Sequence, residues 1–117
     1  MLLASLALAT AQPAAPTEEQ PYPFNTNAII QAVDRGERGP LDYLLGVAHG
    51  LIASEGLRMA YDKSQAFCYP QSFELTTAQY VQMLRSQLKE NPAVGDRVAS
   101  VVLMMALIKA FPCETDS

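Results

Sequence analysis

The sequence has no tryptophan, one histidine and two cysteines among its 117 residues. Each scarcity excludes a class of chemistry. A structural zinc site takes four Cys or His ligands at close spacing, and His49, Cys68 and Cys113 are too few and too far apart. A nucleophilic cysteine needs a neighbouring base. The single histidine sits inside "GVAHG", where it reads as a helix-surface or satisfied side chain. Also missing are a glycine-rich phosphate loop, a Ser/His/Asp set and a paired-carboxylate constellation. No enzyme, metal or cofactor is therefore expected. The 8 basic residues are scattered against 12 acidic ones, for a net charge of -4. Without a Lys/Arg cluster to neutralise phosphates, nucleic acid is not an expected partner.

Long apolar runs are missing too. A helix needs roughly 20 apolar residues to cross a bilayer, and no segment reaches that, so no stable membrane span is expected. The first run, "LLASLALATA", has the length of a signal-peptide core. Its end, Ala9-Thr10-Ala11, is a small-x-small triplet of the kind a signal peptidase accepts. No Lys or Arg follows Met1, so the basic stretch that usually precedes such a run is missing. The expectation is a signal segment over 1–11, with an Ala-rich tail or a core helix as the alternatives. Residues 12–23, "QPAAPTEEQPYP", hold four of the 8 prolines and read as an extended linker. The folded domain is expected over 24–113, with a short tail at 114–117.

Period-two alternation is absent, and helical signals recur instead. "NTNAIIQAVDRG" offers Asn25 or Thr26 as N-cap, Ile29, Ile30 and Val33 as one face, and Gly36 as a stop. A second helix opens at Pro40 and carries a stripe of Leu41, Leu44, Leu45, Ala48, Leu51, Ile52 and Met59. A third opens on the capping box Thr76–Gln79, buries Tyr80, Val81, Leu84 and Leu88, and ends at Asn91-Pro92. A fourth is expected to start from Asp96 as cap. It is apolar nearly all round from Val98 to Ile108, which predicts a central helix. The stretch from Asp62 to Leu75 reads as a crossing loop. The fold class is all-α: a compact bundle of about four helices.

Three readings of the two cysteines stand at this point: a disulfide, two buried free thiols, or a reactive pair. The signal-like start favours a Cys68–Cys113 disulfide, because paired cysteines persist in oxidising compartments. Gly46 and Gly50, four apart on the second helix, predict close packing of another helix, inside the bundle or across a homodimer. The five methionines read as core filler.

Taken in order, "LDYLLGVAHGL", "FCYPQSFELTTAQYVQMLRSQLKENP" and the closing "ALIKAFPC" resemble the Rap/Tai family of immunity proteins. The most specific parts are Tyr43–Gly46–Val47, Cys68 with Pro70, Tyr80…Leu88…Asn91-Pro92 and the final Phe111-Pro112-Cys113. Family members often carry two more cysteines, whose places fall at Ala32 or Val33 and at Pro40 here. The resemblance implies a small helical periplasmic protein associated with type VI secretion. Such a protein binds a secreted cell-wall hydrolase, typically a peptidoglycan amidase, and occludes its groove, often as a homodimer. Recognition is commonly carried by loops on a rigid scaffold. The candidate partner-binding residues are therefore Glu90, Asn91, Pro92, Val94, Asp96 and Arg97 in the last turn, then Tyr69 and Gln71 after the first cysteine. Two other readings suit the same composition: a small periplasmic acid-stress chaperone, and an envelope structural subunit joined through the glycine face.

Overall fold

The computed structural model describes residues 24–72 and 74–114. The signal-like segment, most of the proline-rich stretch and the end of the tail lie outside the described residues. Four α-helices follow one another: α1 (Thr26–Asp34), α2 (Gly39–Ala60), α3 (Thr77–Glu90) and α4 (Ala99–Ala110). A short 3₁₀ helix, Pro92–Asp96, joins α3 to α4. There is no strand among the described residues, and none of their helices is long and apolar enough to cross a membrane.

Local chemistry sets most of the helix ends. Asn25 is extended, and its side chain accepts the Ala28 N–H at 2.7 Å, capping α1. Gly36 adopts φ +82, a left-handed conformation that ends the helix and is open to glycine at no steric cost. The capping box of α3 is complete: the Thr76 hydroxyl accepts the Gln79 N–H at 3.2 Å, and the Gln79 carbonyl oxygen accepts the Thr76 N–H at 2.7 Å.

The start of α4 differs from expectation. Asp96 closes the 3₁₀ helix and does not cap α4, which has no side-chain cap. Its first N–H, from Ala99, is instead accepted by the Phe24 carbonyl at 2.8 Å. This bond belongs to a single antiparallel bridge between Asn25 and Val98. The chain entering α1 thus does the work that a capping side chain would do.

The core gathers Ile29 and Ile30 of α1, Leu44 and Ala48 of α2, Tyr80 and Leu84 of α3, and Val102, Leu103 and Leu107 of α4. Phe67, from the crossing loop, is fully buried among them. α4 is not enclosed on all sides. Val101 and Ile108 are 48% and 41% exposed, because α4 packs on its neighbours through one face only. The α2 stripe also runs out early: Met59 is 54% exposed. At 1.5 Å per residue, α2 is about 33 Å long and outreaches α3 and α4, at about 21 and 18 Å. Its last turns therefore have no helix to pack on.

What those turns hold is the crossing loop. Glu55 is buried, and its carboxylate accepts the Ala66 N–H at 2.7 Å. Arg58 donates to the Ser64 carbonyl at 3.0 Å. The loop then reaches the Cys68–Cys113 disulfide, which closes a sequence separation of 45 with Cα atoms 4.9 Å apart. The Cys68 N–H also donates to the Phe111 carbonyl at 2.8 Å.

Gly46 and Gly50 do not bring a helix close within the bundle. A Cβ added at either would meet nothing within 4 Å, and both lie on the exposed side of α2. The stripe of apolar residues on the opposite side directs that face into the core and leaves the glycines outside.

Candidate functional site

The turn between α3 and α4 is short, irregular in sequence and fixed from three sides. Asn91 ends α3, and its side chain accepts the Ala93 N–H at 3.2 Å. Pro92 then takes the first position of the 3₁₀ helix, where its missing N–H leaves no donor unpaired. Val94 points inward and is 2% exposed. Gly95 is buried against the side-chain amide of Asn27, and an added Cβ would collide with it. The third anchor is Thr26, itself fully buried. Its N–H and its hydroxyl both donate to the Arg97 carbonyl, at 2.8 and 2.9 Å.

Of the six residues expected to face a partner here, five are exposed: Glu90, Asn91, Pro92, Asp96 and Arg97. Val94 is a correction. The tight 3₁₀ winding places it on the inner side of the turn, where it anchors the segment. Glu90 is engaged in an ion pair with Lys109, whose Nζ lies 2.6 Å from both carboxylate oxygens. Both partners are well exposed, so the pair adds little stability, but it ties the end of α3 to α4.

The second expected group is divided. Gln71 is exposed on the crossing loop. Tyr69 is half-buried and spent on the fold: its hydroxyl accepts the Leu75 N–H at 2.7 Å and lies 3.1 Å from the Tyr80 hydroxyl. Its ring packs against Phe111 with centroids 5.8 Å apart. Burial, and then the bond to Tyr69, hold the Tyr80 phenol well above its ordinary pKa, so it stays neutral and able to donate. Among the described residues no group of three His, Cys, Asp or Glu is placed to hold a metal ion.

No local pattern in the sequence signals what Thr26 does. It was one of two candidate caps for α1, and its actual task is to hold a turn 71 positions away. Replacing it with valine keeps the shape and removes one donor. The expected loss is about 1 kcal/mol. Amide hydrogen exchange should speed up at Val94 and Arg97, while α2 stays unchanged. Equal acceleration everywhere would mean that Thr26 supports the whole fold rather than this turn.

The site is thus a polar, solvent-facing turn held by hydrogen bonds of Thr26 and Asn91 and by the buried Val94. A family model described as Rap1a immunity proteins matches residues 26–113. No curated protein and no solved structure matches the chain.

Proposed function

The chain belongs to the Rap1a immunity protein family, and from that membership we propose that it is an exported, periplasmic inhibitor of a secreted cell-wall hydrolase. The target class is a peptidoglycan amidase delivered by type VI secretion. Inhibition is by occlusion: the protein covers the catalytic groove and alters no bond.

The observation that carries this reading is the pinned turn. Tight binding is favoured when a surface is ordered before contact, since no loop entropy is then lost on association. Thr26, Val94 and Asn91 order this turn in the free protein. Asn91, Pro92, Asp96 and Arg97 are left to face a partner. The disulfide supports export, because such bonds persist in oxidising compartments. On this reading residues 1–11 are a signal segment and 12–23 a spacer.

The test is co-purification from the periplasm with each hydrolase encoded beside its gene, followed by an assay of wall hydrolysis. A stoichiometric complex that silences one hydrolase is expected. Replacing Asp96 and Arg97 together with alanine should then weaken the complex at least about tenfold, as expected for residues at the centre of an interface. If no neighbouring hydrolase binds, the immunity role falls. If one binds and the double variant binds equally well, the inhibitor stands but the turn is not its contact surface.

A further inference from the structure

α4 turns an apolar side towards solvent. Val98 at its head, then Val101, Met105 and Ile108, follow at spacings of three, four and three, which places them along one side of the helix. Val101 and Ile108 are exposed, and Val98 and Met105 are half-buried between them. The opposite side of α4, with Ala99, Val102, Leu103 and Leu107, is the one spent on the core.

The chain that enters α1 is delivered to the head of this stripe. Asn25 forms an antiparallel bridge with Val98. The Thr26 N–H donates to the Arg97 carbonyl, and the Ala99 N–H donates to the Phe24 carbonyl, both at 2.8 Å. Traced backwards from Asn25, the chain therefore runs the way α4 runs from Val98. At Phe24, where the described residues begin, it already stands beside the first residue of α4. From Ala99 to Ile108 is about 14 Å at 1.5 Å per residue. A proline-rich chain advances about 3.1 Å per residue, so about five residues before Phe24 reach Ile108.

We propose that Gln20-Pro21-Tyr22-Pro23, which lies outside the described residues, is a strap that covers this stripe. Tyr22 comes level with the gap between Val101 and Met105, and Pro21 leads on to Ile108. The composition suits the place. Pro21 and Pro23 have no N–H to leave unpaired against an apolar surface, and their fixed φ lowers the entropy lost on docking. The Tyr22 ring is apolar along its body, and its hydroxyl stays in water. A tethered strap acts at an effective concentration in the millimolar range, which favours it over a second copy or a free partner. Covering the stripe also removes an apolar surface open to non-specific association. The strap stands apart from the hydrolase reading and is tested without a toxin.

The experiment is NMR and limited proteolysis of the isotope-labelled full chain. The Tyr22 ring protons should show NOEs to the methyl groups of Val101 and Ile108. A glutamate-specific protease should cut after Glu19 at least about fivefold faster in the Val101→Ser, Ile108→Ser double variant, since cleavage follows the population of the undocked form. Tyr22→Ala, which leaves the helical core untouched, should raise the rate as much. Amide shifts of α3 should stay unchanged in both variants. Absent NOEs, NOEs from the leucines of 1–11 in place of Tyr22, NOEs that a mixture of labelled and unlabelled chains assigns to a second copy, or an unchanged cleavage rate in Tyr22→Ala would each overturn the strap.

Discussion

Replacing Cys68 and Cys113 together with serine should lower the unfolding free energy by about 4 kcal/mol, the loop-closure value for a separation of 45. The reason lies mainly in the unfolded chain. In the folded state the two segments are already joined by other means. The Cys68 N–H meets the Phe111 carbonyl, and the Tyr69 ring packs on Phe111. Removing the covalent bond therefore moves little in the native structure and releases a long loop in the denatured one. Domains of this size are stable by only about 5–15 kcal/mol, so the loss is a large share of the total. Denaturant unfolding of the oxidised protein, the chemically reduced protein and the double serine variant will measure it. The last two should coincide. A shift under about 1 kcal/mol would mean that the denatured chain already keeps the crossing loop near the end of α4.

What the sequence shows and what it hides divide along the distance over which each feature is determined. The capping box Thr76–Gln79, the Asn25 cap and the Gly36 stop are settled within four residues; the box and the stop are legible in the string, and the α1 cap is legible to within one position, Asn25 or Thr26. The partners of the disulfide were legible because two cysteines allow one internal pairing, whereas the bond itself was favoured over free thiols only by the signal-like start. The start of α4 was not legible, because the acceptor for Ala99 is the backbone of Phe24, and no local signal reports that. Glu55 was hidden by its charge. An acidic residue near the end of an apolar stripe reads as solvated, yet here it is 4% exposed and holds the Ala66 N–H. In the candidate site, Asn91-Pro92 and Gly95 announce a turn. Which side chain points inward depends on the 3₁₀ winding, and Val94 could be placed only once that winding was seen.

Phe67 is the residue whose importance most exceeds its sequence signal, and Phe67→Ala is expected to destabilise the domain by about 3–5 kcal/mol. It lies in a loop, in no periodic pattern, beside a cysteine that draws the attention. Yet its side chain has no solvent exposure and belongs to the core cluster built by the helices. Tyr61, a few positions earlier, is 72% exposed, and Tyr61→Ala should change stability by no more than about 0.5 kcal/mol. Thermal or denaturant unfolding of the pair separates burial from mere aromatic character. A double-mutant cycle goes further. Phe67 acts in the folded state and the disulfide mainly in the unfolded one, so their effects should add within about 0.5 kcal/mol although the residues are adjacent. Phe67→Leu, which removes less volume, keeps the combined variant folded enough to measure. A coupling above about 1 kcal/mol would show that the sulfur bridge also presses Phe67 into its pocket, and the bond's stabilisation would then have to be divided between the two states.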